Sequence, residues 1–288
     1  MRPLLVRNFP IAAIASRTFS AGNYMKLALE NKTALVTGST AGIGLAVAAS
    51  LAGEGATVII NGRTEERVKE AISQIHSQSP NAKLEPLPAD ISASTAVAAA
   101  IKKYPKLDIL INNVGIGELK PFEEICDDDW FRLIEINFMS GVRLSRFYLP
   151  LMKKQGWGRI LFISSESGVN IPSNMIHYGV TKTMQIALAR GLAETTTGSA
   201  VTVNSIVVGP TSTEGVNKFI ANLAKKANVG VAEIEANFFK NERPGSLLQR
   251  FATVEEVANL ILYYSSPLSS ATNGAAIRVD GGVVRSIL

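Results

Sequence analysis

Tyr178 and Lys182 stand four positions apart, and Ser165 stands thirteen positions before the tyrosine. On a helix the first two share a face, one turn apart. That geometry sets an ammonium beside a phenol whose ordinary pKa, near ~10, is too high for proton exchange at neutral pH. A neighbouring cation favours phenolate, so the pair predicts an acid/base working closer to pH 7. Ser165 follows an apolar, strand-like run, Arg159–Ile163, from which its hydroxyl could bond the same substrate oxygen. A tyrosine and lysine at this spacing also occur on ordinary helices with an exposed lysine. The pair gains its meaning from what precedes it.

The β-prone run Thr33–Val36 leads directly into Thr37-Gly38-Ser39-Thr40-Ala41-Gly42-Ile43-Gly44, and Leu45–Glu54 then reads as a helix closed by Gly55. Strand, glycine turn and helix form the context that a dinucleotide-binding turn requires. Glycines allow a tight turn and close backbone approach, and the helix N-terminus offers free N–H groups to a pyrophosphate. The next strand, Thr57–Ile60, ends in Asn61-Gly62-Arg63. An acid near that point would bind the ribose hydroxyls of NAD. A guanidinium suits a 2′-phosphate, so Arg63 predicts NADP, with NAD as the alternative. Glu65 and Glu66 read as helix-starting acids.

The rhythm continues along the chain. Helices are expected at Arg67–Ser77, Ala93–Tyr104, Trp130 to about Lys154 (carrying Asn137), around Tyr178 to about Thr196, and at Val254–Ser265. Strands are expected at Leu84–Leu87, Asp108–Ile111, Arg159–Ile163, Val201–Val207 and Ala275–Val279. Seven strands alternating with helices predict one α/β domain over residues 26–288, a doubly wound parallel sheet with helices on both faces. An insert at 212–250 interrupts the alternation, and its Phe238, Phe239 and Leu247 point to an apolar substrate or to packing of the insert on the body.

Composition narrows the function classes. With 47% hydrophobic and 18% charged residues, the 288-residue chain is globular. It contains no apolar run long enough for a membrane span. The net charge of +5 includes Arg2, Arg7 and Arg17, so the body carries about +2 and has no dense basic patch for nucleic acid. One cysteine, Cys126, excludes an internal disulfide and reads as a half-buried passive thiol, and two histidines, His76 and His177, leave no metal-ligand cluster. Residues 1–25 contain no acid, and Arg17-Thr18-Phe19-Ser20 has the form of a mitochondrial processing site. A transit peptide is the expectation, with a secretory signal or a plain extension as rivals; a cytoplasmic location goes with the last.

From about Lys32 to Gly282 the chain resembles the short-chain dehydrogenase/reductase family, in its branch of about 250 residues with a Rossmann-type fold. The likeness rests on Gly38, Gly42 and Gly44, Asp90, Asn112-Asn113-Val114-Gly115, Asn137, Ser165, Tyr178, Lys182 and Asp280-Gly281-Gly282. Two positions depart from the family pattern: Val114 where alanine is usual, and Val208-Gly209-Pro210 where Pro-Gly follows the sixth strand. The resemblance implies a catalytic tetrad of Asn137, Ser165, Tyr178 and Lys182. Ser165 would polarise a carbonyl, Tyr178 would deliver a proton, Lys182 would hold the nicotinamide ribose, and Asn137 would hold a water leading to Lys182. It implies cofactor contacts from Gly38, Ser39, Thr40, Gly42, Ile43, Gly44, Arg63, Asp90, Ile91, Asn113 and Gly115, with Thr211 and Thr213 beyond the sixth strand.

The resemblance also implies a homodimer or homotetramer. Trp130, Phe131, Ile134 and Phe138 form an apolar stripe on a helix like those that pair between subunits in the family. The activity it implies is NADP-dependent interconversion of a carbonyl and a secondary alcohol, with 3-oxoacyl thioesters or other apolar ketones as candidate substrates. A nucleotide-binding scaffold or redox sensor without turnover is the alternative, and a lyase- or isomerase-type use of the fold is a third reading. His177 is expected to be structural or part of the pocket wall.

Overall fold

The computed structural model describes residues 26–287, so the targeting segment expected at residues 1–25 lies outside the described residues. Seven strands form one sheet: β1 (Thr33–Val36), β2 (Thr57–Gly62), β3 (Lys83–Pro88), β4 (Ile109–Asn112), β5 (Gly158–Ser165), β6 (Val201–Val208) and β7 (Ala276–Val279). Their order is β3-β2-β1-β4-β5-β6-β7, with every neighbouring pair parallel. The direction of sheet growth reverses between β1 and β4. The loops leaving those strands diverge to opposite faces, and a crevice opens beyond their carboxyl ends.

Alternation along the strands divides the core into two layers. Ala34, Val36, Val58, Ile60, Ile109 and Ile111 face one side, with Val47 and Leu51 of α1 (Gly42–Gly53), Val68 and Ile75 of α2 (Glu65–Gln78), and Val257 and Ile261 of α9 (Val254–Ser265). Leu35, Ile59, Leu110, Ile160 and Phe162 face the other. There they meet Val97 of α3 (Ser94–Lys103), Leu144 and Tyr148 of α5 (Ser140–Gln155), and Ala189 of α6 (Ile176–Glu194). Truncating a fully buried side chain such as Leu51 to alanine costs about 2–5 kcal/mol.

The long helix expected around Asn137 runs from α4 (Asp127–Ile134) into α5, and a single π-helical stretch, Glu135–Met139, joins the two. Asn137 sits in that widened turn, a form helices often take at functional positions. Asp127, Asp128 and Asp129 occupy the first turn of α4, and Asp129 accepts from Lys120 at 2.6 Å. Cys126 is exposed rather than half-buried, and its thiol donates to the same Asp129 oxygen. The insert folds as α7 (Glu214–Ala227), α8 (Val231–Asn237) and a further π turn, Phe238–Glu242.

Candidate active site

A cavity of about 1160 Å³ lies beyond the carboxyl ends of β1, β4, β5 and β6. One wall is the glycine turn, which a set of backbone clamps holds in shape. Ser39 N–H donates to Asn61 O at 2.8 Å, and Ser39 Oγ accepts from Asn61 N–H at 2.9 Å. Asn61 Oδ1 accepts from Gly38 N–H, while its Nδ2 donates to the carbonyls of Leu87 and Ala89, both at 3.0 Å. Asn113 Nδ2 ties the other side to Thr37 O and Gly38 O. Gly44 must be glycine, because a β-carbon there would lie 2.4 Å from Gly38 O and 2.5 Å from Asn113 Nδ2.

Ala41, just before α1, offers no side-chain cap, so the first-turn N–H groups have no capping oxygen, and Gly42, Ile43 and Gly44 line the cavity. The helix dipole adds partial positive charge there. Arg63 is exposed at the rim and, among the described residues, makes no ion pair. Arg67, in the first turn of α2, lines the same cavity. Sequence reasoning missed this second cation, although it stands only four positions after Arg63. Donor-rich backbone and two arginines fit a phosphorylated dinucleotide. Thr40, Asp90, Ile91 and Gly115 also line the cavity. The Asp90 carboxylate accepts from Ser92 N–H at 3.0 Å and Ser92 Oγ–H at 2.7 Å, which shapes the loop after β3.

Ser165, Tyr178 and Lys182 meet at the inner end of this cavity. Ser165 is the last residue of β5, so the strand runs two residues further than the sequence pattern placed it. Its Oγ accepts from Ser167 N–H at 3.1 Å, leaving its own O–H to donate elsewhere. Lys182 Nζ lies 5.7 Å from the Tyr178 ring centroid and donates to Ile163 O at 2.8 Å and Gln185 Oε1 at 3.3 Å.

The expectation that Lys182 depresses the phenol is not met. Burial pushes the Tyr178 phenol up; Ser165 and Arg243 pull it the other way, and the Glu166 carboxylate adds to the rise. Burial also pushes Lys182 down to about 8. Desolvation disfavours the charged form of both groups and is the largest cause of each shift.

Asn137 does not line the cavity. It is 1% exposed, and both ends of its amide are committed: Oδ1 accepts from Ile116 N–H at 2.8 Å, while Nδ2 donates to Ile116 O and Thr181 Oγ1. The side chain thereby clamps the loop after β4 to α6. Gln185 was not identified from the sequence; it accepts from Lys182 and donates to Asn137 O at 2.5 Å. Its place one turn beyond Lys182 was the available signal.

Thr211 and Thr213 both line the cavity beyond β6. Thr211 Oγ1 donates to Gly209 O, and Thr213 Oγ1 caps α7 by accepting from Val216 N–H. Ser39 is fully buried and serves the turn rather than the cavity wall. His177 is fully buried against Trp130 and, among the described residues, neither ring nitrogen has a hydrogen-bond partner. The apolar residues of the insert divide: Phe238 lines the cavity, Phe239 is buried against Phe238 and Phe251, and Leu247 lies outside over Gly282. Glu166 and Arg243, which also line the cavity, carried no sequence signal.

A family model described as short chain dehydrogenase matches residues 32–224. YvaG of Bacillus subtilis (strain 168), an uncharacterized oxidoreductase, is 50% identical over 91% of this chain and all of its own length. The 3-oxoacyl-(acyl-carrier-protein) reductase FabG of Aquifex aeolicus (strain VF5) is 32% identical over 90% of this chain and all of its own. Among solved structures, L-sorbose reductase from Gluconobacter frateurii, complexed with NADPH and L-sorbose, superposes with a TM-score of 0.85 at 27% identity. That match covers 91% of this chain and 100% of the other.

Proposed function

Since the chain belongs to the short-chain dehydrogenase family, we propose that it interconverts a ketone and a secondary alcohol with NADPH as hydride donor or NADP⁺ as acceptor. The observation that carries this reading is the convergence of Ser165, Tyr178 and Lys182 on the cavity that the glycine turn opens. The first turn of α1 would hold the pyrophosphate, and Arg63 and Arg67 the 2′-phosphate. Lys182 would hold the nicotinamide ribose, and Asp90, Ile91, Asn113, Gly115, Thr211 and Thr213 would complete the cradle. When bound, the nicotinamide supplies the hydride that reaches the carbonyl carbon.

The chain's own residues manage the oxygen. Ser165 Oγ–H donates to the carbonyl, and Tyr178 passes its phenolic proton to the oxygen as negative charge develops there. Burial keeps Tyr178 in the protonated form from which a donor must start, while it also weakens the phenol as an acid. Lys182, within the same buried layer, would bind the ribose and hold a proton close to the one Tyr178 gives up. Asn137 and Gln185 hold the lysine's surroundings in place.

The apolar reading of the substrate keeps Phe238 as a wall residue, gains Phe251 and loses Phe239 and Leu247. A small ketone with one apolar arm fits this wall; a 3-oxoacyl thioester belongs to the same class. NADPH oxidation followed by absorbance across a carbonyl panel, with Tyr178→Phe as control, tests the reading. Binding of NADPH without turnover of any carbonyl supports the nucleotide-binding scaffold or redox sensor instead. We further propose from composition alone that residues 1–25 direct the chain to mitochondria. A fluorescent fusion of that segment tests it, and diffuse fluorescence would count against it.

A further inference from the structure

Beside Ser165, on the cavity wall, the structure places an ion pair that the reaction as described does not use. Glu166 follows Ser165 directly in the chain and is only 4% exposed. Its Oε1 accepts from Arg243 Nε at 2.9 Å and from Ser167 Oγ at 3.0 Å. Its Oε2 is buried with no hydrogen-bond partner among the described residues. Arg243 comes from the insert, 77 positions later. Its guanidinium lies 5.7 Å from the Phe238 ring centroid, Nη1 donates to Glu242 O, and Nη2 has no partner among the described residues. Both residues line the cavity together with Ser165 and Tyr178.

A buried carboxylate oxygen left without a donor is costly, and native structures seldom keep one without a purpose. Glu166 is a strong acceptor and Arg243 retains a strong donor, both at the wall next to the group assigned to the carbonyl. An alcohol hydroxyl can satisfy the two together, because it donates one hydrogen bond and accepts another. A carboxylate substrate would be repelled by Glu166, and a purely apolar one would leave the carboxylate unanswered.

We infer that Glu166 and Arg243 form a subsite for a substrate hydroxyl close to the reacting carbonyl, so that the substrate is a hydroxylated ketone. The hydroxyl donates to Glu166 and accepts from Arg243, while Phe238 covers the carbon skeleton. This inference rests on the reductase reading and deepens it. It also explains what the insert contributes. Arg243 arrives with α7, α8 and the π turn, so the subsite is complete only with the insert seated. A ketone lacking the hydroxyl is disfavoured because it strands the buried pair.

The test pairs 1-hydroxy-2-butanone with 2-butanone, assayed with NADPH on the full chain. The parent protein is expected to favour the hydroxyketone in kcat/KM by about 10- to 100-fold, the size of a hydrogen bond to a charged group. In Glu166→Gln and in Arg243→Lys that ratio should fall at least about tenfold. Ligand-detected NMR supplies a readout without turnover: butane-1,2-diol should bind the parent protein in preference to 2-butanol. A ratio near one in the parent protein, or equal losses on both ketones in both variants, overturns the subsite and leaves the pair as an anchor for the insert. Failure of every carbonyl in the panel overturns the reductase reading itself, and the subsite with it. If Glu166→Gln does not fold, Arg243→Lys and the NMR comparison decide the matter alone.

Discussion

Lys182 Nζ donates to the main-chain carbonyl of Ile163 at 2.8 Å, two residues before Ser165 on the adjoining strand. This bond ties the helix carrying Tyr178 to the strand carrying Ser165. It fixes the relative height of two side chains that the chain separates by thirteen positions. The lysine therefore has a structural role as well as a chemical one. A substitution there disturbs the register of the site along with its charge.

Tyr178→Phe keeps the ring and removes only the hydroxyl. Folding and NADPH binding should survive, while turnover falls by about 10²–10⁴, the usual contribution of a positioned acid/base. Steady-state rates and cofactor titration on the two proteins check this. Near-normal turnover in the variant would falsify the assignment of Tyr178 as proton donor.

Lys182 gives a stability signature that does not depend on activity. Its folded pKa, pushed down to about 8 by burial, lies below the ordinary 10.5. Between these values the unfolded chain binds the additional proton, so folding stability from this group rises with pH above about 8 and is lost as pH falls through it. The contribution has a limiting slope of about 1.4 kcal/mol per pH unit. Denaturant melts between pH 8 and 10, below the range of the raised phenols, should show this slope in the parent and not in Lys182→Met. Identical slopes in both proteins would place the lysine in a wetter setting than the structure does.

Arg63→Asp should remove one 2′-phosphate partner and add repulsion. Preference should shift toward NADH by roughly ten- to a hundredfold, in line with hydrogen bonds to charged groups. Arg67→Ala should weaken NADPH more than NADH as well, because it faces the same cavity. Paired KM values for the two cofactors decide it. A parent protein that already prefers NADH removes the basis for both assignments.

The apolar stripe on α4 and its π turn is the expected meeting surface of a homodimer or homotetramer. Phe131 is 67% exposed, while Trp130, Ile134 and Phe138 are half-buried around it. Phe131→Lys should lower the mass measured by light scattering at micromolar concentration. A monomeric parent protein would leave that stripe without the partner proposed for it.

Much of this protein was legible in one dimension because its signals are local or periodic. Strand, glycine turn and helix over 33–54 depend on neighbouring residues, and short continuous apolar runs separated by helices dictate a parallel sheet buried on both faces. Tyr178 and Lys182 declare their shared face through helical spacing alone. Other assignments turned on what lies across the fold. The phenol's shift could not be read from the Tyr178–Lys182 spacing, because its largest cause is burial and burial belongs to the assembled cavity. The clamp that Asn137 makes on Ile116 and Thr181 likewise forms only where the loop after β4 packs on α6. Arg243 meets Glu166 only because the insert folds back over β5, 77 residues away in the chain. Sequence spacing reports which groups a single element can present together; which charges lose their water and find a partner is decided by tertiary packing.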